Sequence, residues 1–527
     1  MKRDQHQPGN PGKELYGRLR KMSCTRLWEE EVPRFNRASP RERMDSVGLI
    51  RALGVVAAES GTAEQKEMVR AWLRGLLQDP EEKVRRYAMT ALPKLGANPE
   101  DEAQVLALLG GTTTERERQY VGRTLDKIGG EATLAALEKA PELRQTELKV
   151  RAKVARAQES GAVRMDGVLA PGPGLVIHLR CKPGLEGILR DEVEAQRKFS
   201  VSGVHAGVVV LKARGPFSLG DLYALRCFAT VGFVLGESGG KRPAHGESTA
   251  DPAGLEELAK LMTSPLAQQI LKTFTHGAMR YRLEFVDKGH QRGAVRVLAN
   301  RAYALCPAML NDARSAPWDM EIFSTRQGSR VELSPRLRPD PRFAYRLGDV
   351  PASSHPPLAA SLARFGGPAR SAWKEGEVVW DPFCGSGLEL IERALLGGVR
   401  MVIGTDLSAE AVAIAEGNFA AAGVQKVRSV FACCDFRDFA KVEGLRPGSV
   451  TLVISNPPMG KRVPVPNLDG LLDEMIAAAA TVLRPGGLLV FANPFQMENP
   501  HPALTLEAWS LVDLGGIRVR VEVYRKR

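Results

Sequence analysis

The chain has 527 residues, of which 44% are apolar and 25% charged, with a formal net charge of +12. That length exceeds what one core can organise, and the composition is ordinary for globular protein. No apolar run approaches the ~20 residues of a membrane span, and the basic opening MKRDQHQPGNPGKELYGRLRK lacks the apolar centre of a signal peptide, so a cytoplasmic protein without a membrane segment is expected. The seven cysteines and eight histidines are scattered. With no CxxC and no HxxxH pattern among them, a reducing compartment and no bound metal are expected. The positive balance permits binding to a phosphate backbone and equally suits a solvated cationic surface.

Residues 1–38 are polar, basic and proline-bearing, and are expected to form a flexible arm. From 39 to 165 the pattern is helical and repetitive. VRRYAMTALPKLG, QYVGRTLDKIG and VRAKVARAQESG end in Gly96, Gly129 and Gly161, 33 and 32 residues apart. Apolar stripes closed by glycine read as capped helices, and a recurrence near this period predicts stacked helical hairpins of HEAT-like type, an interaction surface with room for a protein partner. APGPG (170–174) then marks a change to mixed α/β. LVIHLRC (175–181) and GVVVLKA (207–213) predict strands, and GLEGILRDEVEAQ (184–196) and SLGDLYALRCF (218–228) predict helices. Beyond a Gly/Pro-rich linker over 236–252, strands are predicted at 278–289, 318–324 and 329–337, with a helix over 292–309.

Read together, PGLEGILRDEV, GVVVLKA and DLYALRCFATVGFVLGE resemble the ferredoxin-like domain of the THUMP-containing RNA methyltransferases. YRLEFVDKGHQRGAVRVLANRAYAL and SRVELSPRL look like the THUMP domain that follows it, and FAYRLGDVPASSHPPLAASLARFGG resembles the stretch leading to the catalytic domain. The resemblance implies a ferredoxin-like unit at 166–240, a THUMP-like RNA-binding unit at 241–337 and a linker at 338–375. THUMP-type modules grip RNA by shape, commonly the acceptor end of tRNA.

Residues 376–527 alternate strand, loop and helix, as in a doubly wound parallel sheet. GEVVWDPFCGSGLELIERALLG (376–397) reads as a buried strand, a glycine turn and a helix. Gly385 and Gly387 let backbone approach a ligand without a Cβ in the way. Asp381 and Glu389 make that turn acidic, which suits a cationic, phosphate-free cofactor, S-adenosylmethionine, better than a pyrophosphate. Asp406 ends the second strand, where a carboxylate can accept both ribose hydroxyls, and Asp435 ends the third, suited to the adenine amine. SNPPM ends the fourth at Asn456, because proline cannot continue a central strand, and TVLRPGGLLVFANP supplies the fifth. This order and spacing match the class I methyltransferase fold. The cofactor-binding set is therefore expected to be Asp381, Phe383, Gly385, Gly387, Asp406, Asp435 and Asn456.

Asn456, Pro457, Pro458 and Met459 resemble the NPP-aromatic motif of the amino-methyltransferases, which act on exocyclic base amines. The resemblance implies that the Asn456 side-chain oxygen and the Pro457 carbonyl accept the two amine hydrogens, so that positioning supplies most of the catalysis. Met459 stands where the family has an aromatic ring that stacks on the flipped base, and a thioether can still pack on a purine face. Lys461 and Arg462, just beyond, are candidates for RNA phosphates. The expectation is thus a multidomain protein: an α-helical repeat N-terminus, an α+β ferredoxin-like and THUMP-like middle, and a doubly wound α/β methyltransferase C-terminus. The function it implies is methylation of a guanosine N2 amine, with tRNA favoured over rRNA partly because the chain ends with one catalytic domain. DNA adenine-N6 methylation and a non-catalytic RNA-binding or assembly factor, the latter motivated by Met459, are the alternatives.

Overall fold

A computed structural model describes residues 11–111, 114–138, 141–158, 161–239, 252–286, 291–351, 353–367, 376–460, 465–495 and 501–527. The first of these differ from the expected flexible arm. Residues 11–37 are almost wholly helical, from Pro11–Leu19 to Val32–Arg37. Leu19 and Leu27 bury themselves beside the helix Gly48–Ser60, and Val32 and Phe35 join the same core, where Phe35 meets Trp72 edge-on at 5.6 Å, so helical apolar spacing prevails over the polar, proline-bearing composition. Residues 1–10 of that expected arm lie outside the described residues.

Helices then stack to Arg144–Gln158. Buried ion pairs join successive hairpins: Arg70 and Arg74 converge on Asp101, Arg85 on Glu117, and Arg43 on Asp79. Glu102 accepts from Gly130 N (2.7 Å), Thr133 N (2.8 Å) and the Thr133 hydroxyl (2.6 Å), closing the start of helix Glu131–Leu137. The last helix packs on the middle region through Leu148, Tyr303 and Leu310.

The two middle units share one eight-stranded sheet. Its order is Leu310–Asn311, Arg280–Phe285, Trp318–Ser324, Gly328–Pro335, Thr230–Gly239, Val176–Arg180, Val208–Ala213 and Phe199–His205. The join is the antiparallel pair Thr230–Gly239 with Gly328–Pro335, and a single core runs beneath both halves. The strand Thr230–Gly239 alternates too weakly for its local pattern to predict it. At its join Glu332 is fully buried, hydrogen-bonded to His178 (2.9 Å) and paired with Arg180.

The C-terminal sheet has seven strands: β1 (Glu377–Asp381), β2 (Val399–Asp406), β3 (Arg428–Cys433), β4 (Val450–Ser455), β5 (Leu483–Asn493), β6 (Leu504–Asp513) and β7 (Arg518–Lys526). Their order is β3-β2-β1-β4-β5-β7-β6, parallel except for β7, which runs antiparallel to both neighbours. β1 and β4 are buried along their whole length, as central strands covered on both faces must be.

The expected linker over 338–375 also differs. It carries a helix, Pro356–Phe365, whose Leu358, Ala359, Leu362 and Ala363 sit in the core of the C-terminal sheet against helix Leu388–Leu395. Its residues 368–375 lie outside the described residues, as do 240–251 of the expected linker at 236–252. Arg226 of the middle region makes a bidentate pair with Glu392 at 2.7 Å to each oxygen, and Arg364 pairs with Glu192 at 2.6 Å. The middle and C-terminal units are thereby held together by charge-assisted bonds. Among the described residues no helix is long and apolar enough to cross a membrane.

Candidate active site

The carboxyl ends of β1, β2 and β4 converge, where open α/β sheets bind ligands. Between β1 and helix Leu388–Leu395, Gly385 and Gly387 adopt φ of +50° and +79°, conformations costly to a residue with a Cβ. The two glycines serve different ends. A Cβ on Gly387 would lie 3.1 Å from Ala415 Cβ, so this glycine admits the neighbouring helix. A Cβ on Gly385 would meet only Val350, at 3.7 Å, and would project into the cleft.

Backbone and carboxylates hold the turn. Asp406 accepts from Gly385 N at 3.0 Å and Ser408 N at 2.9 Å. Asp381 Oδ1 accepts from Phe383 N at 3.0 Å and from the Ser455 hydroxyl at 2.7 Å, while its Oδ2 is buried with no hydrogen-bond partner. Burial, reinforced by the nearby Glu389, pushes the Asp381 carboxyl well above the usual carboxylate range, and burial also raises Glu389. Neither has a cationic partner among the described residues. Two desolvated carboxylates without a counter-ion and an open glycine cradle fit a cationic nucleoside and repel a pyrophosphate.

At the end of β4, Asn456 Nδ2 donates to Ser354 Oγ at 2.8 Å, and the Ser354 hydroxyl donates to Glu389. This polarity fixes the amide. With the Ser354 proton committed to the carboxylate, its oxygen can only accept, so Nδ2 must face it. Asn456 Oδ1 is then left buried without a hydrogen-bond partner, which costs free energy unless a ligand supplies a donor. Ser354 comes from the stretch expected as a linker. Asn418 holds that stretch in place by accepting from Leu347 N and Gly348 N (2.8 and 3.0 Å) and donating to Ser386 O (3.0 Å).

The remaining expected residues vary. Phe383 stacks edge-on against Phe436 at 5.1 Å at the rim. Asp435 caps the short helix after β3 and is held by Arg437, whose backbone N–H (2.9 Å) and Nη1 (2.8 Å) both donate to it, so only its spare lone pairs remain for a ligand. Pro457 is buried and Pro458 half-buried. Met459 is half-buried and packs against the core that Val379, Leu452 and Ile454 share. Lys461 and Arg462 lie outside the described residues. Sequence reasoning missed Ser354 and Leu407. The latter follows Asp406 directly and is 75% exposed, an apolar surface beside the cleft. Among the described residues no cluster suited to a metal ion occurs.

Residues 344–509 match the family model of the RMKL-like methyltransferase domain, and the chain therefore carries a methyltransferase domain. Among solved structures the chain is similar to TrmN from Thermus thermophilus, with 21% identity, 67% of this chain and 100% of that one covered, and a TM-score of 0.52. It is also similar to a possible methylase from Clostridium difficile 630, with 16% identity, 67% and 98% covered, and a TM-score of 0.48. The likeness to TrmN is one of fold. No curated protein matches the chain.

Proposed function

Taking the methyltransferase domain as premise, we propose that the protein is an S-adenosylmethionine-dependent RNA methyltransferase acting on the exocyclic N2 amine of a guanosine, with tRNA as the favoured substrate. The observation that carries this reading is the buried, unpartnered Asn456 Oδ1 at the end of β4, locked in orientation through Ser354 and Glu389. An exocyclic amine is conjugated into its ring and is a weak nucleophile. A fixed acceptor that takes one amine hydrogen, with the Pro457 carbonyl taking the other, aims the nitrogen lone pair without requiring a strong base. S-adenosylmethionine supplies a methyl group activated by its sulfonium charge. Asp406 and Asp435 would hold its ribose and adenine beside the Gly385 turn, and the Asp381 and Glu389 carboxylates would favour its positive charge.

RNA as the substrate class draws support from the middle region, whose order of elements resembles the ferredoxin-like and THUMP pair. A cleft of about 400 Å³ there is lined by Arg314, Arg336 and Arg338, groups that suit phosphate. Mass spectrometry of nucleosides from a deletion strain tests the reading. Loss of N2-methylguanosine from tRNA, restored by the wild-type gene and not by Asn456→Ala, is expected. Loss from rRNA instead moves the substrate, and unchanged methylation of both RNAs refutes the reading.

A further inference from the structure

The helical array has a row of cations that the catalytic reading leaves unused. Helix Gly48–Ser60 packs on Pro11–Leu19 on one side and on the turn Leu92–Leu95 on the other. That turn packs on Glu115–Ile128, which in turn meets Arg144–Gln158. Each element contributes a basic side chain to one edge: Arg20 just beyond the first helix, then Arg51, Lys94, Lys127 and Lys153. Lys153 Nζ donates to Lys127 O at 2.9 Å and Gly129 O at 3.0 Å, which ties the last two together. The Arg51 guanidinium lies 4.5 Å over the Tyr16 ring.

The edge is short of acid. Burial and the fields of Arg51, Lys127 and Arg20 hold the Lys94 ammonium below its ordinary range, with Glu59 acting against them. Glu59 is already paired with Arg20 at 2.9 Å. Arg51, Lys94 and Lys127 have no carboxylate partner among the described residues. The acids that would balance them are spent inside the array: Asp79, Asp101 and Glu117, each with a side chain no more than 2% exposed, neutralise other arginines. Gathering like charges this way is unfavourable for the free protein. Helical hairpins stacked about 8–10 Å apart repeat the charge along a line, which suits a partner whose own charge repeats every few ångströms.

We propose that this edge of the helical array is an RNA-binding surface, on which Arg51, Lys94 and Lys127 neutralise backbone phosphates of the RNA that the methyltransferase domain modifies. The identity of that RNA rests on the proposed function; the surface itself does not. The array then serves as a second grip on the substrate, remote from the site of chemistry, and extends the middle region that Leu148 and Tyr303 bind it to.

The test measures binding of a labelled, unmodified tRNA transcript to the full chain across a salt series. In the Arg51→Glu/Lys94→Glu/Lys127→Glu variant, affinity should fall about tenfold or more, and the log–log salt dependence should become shallower by roughly two to three units, near one per lost phosphate contact. KM for the RNA should rise at unchanged kcat, and calorimetric affinity for S-adenosylmethionine should match wild type, which also reports an intact fold. The milder Lys94→Gln/Lys127→Gln variant should show part of the effect. Wild-type affinity and slope in the triple variant overturn the proposal and assign the edge to another polyanion, such as an acidic protein. Salt-dependent binding lost in the triple variant, in a protein that methylates no RNA, upholds the surface and removes the enzymatic reading. Normal methyl transfer with unchanged binding does the reverse.

Discussion

Replacing Ser354 by alanine removes the acceptor that holds Asn456 Nδ2 at 2.8 Å and the donor to Glu389. The Asn456 amide is then free to turn over, presenting Nδ2 where Oδ1 should meet the amine. A neutral hydrogen bond with one half-buried partner is worth about 1–2 kcal/mol in this setting, so the ratio of productive to flipped Asn456 should fall roughly 5–30-fold, towards equal populations. Single-turnover transfer of a labelled methyl group to unmodified tRNA should slow about twofold, as half of the amides then face the wrong way, at unchanged cofactor affinity, and Ser354→Thr, which keeps the hydroxyl, should retain most of the rate. The decisive comparison is a double-mutant cycle. If Ser354 acts only through Asn456, Ser354→Ala should cost almost nothing in an Asn456→Ala background. Equal losses in both backgrounds would show that Ser354 supports the site by some other route, and the orientation argument would fail.

Three further predictions concern charge. The Asp381 carboxyl is raised in the folded state, so its contribution to stability is complete below the ordinary carboxylate range and is lost as pH rises through the folded value. Cofactor-free Asp381→Asn should therefore melt above wild type at and above neutral pH and lose that advantage in acid, as thermal scans across pH would reveal. Asp406→Ala should weaken S-adenosylmethionine binding about tenfold or more, because hydrogen bonds to a carboxylate are worth roughly 1.5–3 kcal/mol; unchanged affinity by calorimetry would remove Asp406 from the site. For Glu332, burial alone would raise the carboxyl, but His178 and Arg180 outweigh it and lower it from 4.5 to about 2. Its stabilisation is present above the ordinary glutamate value and is lost as pH falls towards 2. Glu332→Gln should cost about 3 kcal/mol at neutral pH, measured by denaturant unfolding, with the deficit shrinking in acid.

Local pattern alone carried much of this protein. The apolar runs of β1 and β4, the glycines at 385 and 387, the carboxylates that close β1 and β2 and the proline stop after Asn456 are all constraints that act over a few residues, and they locate the cleft without coordinates. Helical periodicity likewise announced the array, because capped amphipathic helices bear their signature in one or two turns. What escaped the sequence depends on neighbours distant along the chain. Residues 11–37 look like a polar arm until Leu19, Leu27 and Phe35 find a helix to cover them. Thr230–Gly239 alternates too weakly to predict a strand, and it is ordered by Gly328–Pro335, about a hundred residues later, which fuses two expected units into one sheet. Ser354 sits in what reads as a connecting stretch. Only the docking of helix Pro356–Phe365 on helix Leu388–Leu395 brings it between Glu389 and Asn456, and the orientation of the amide follows from that junction. Short-range sterics and hydrogen-bonding rules are written residue by residue, whereas a buried proton chain exists only once tertiary packing has excluded water from all of its members.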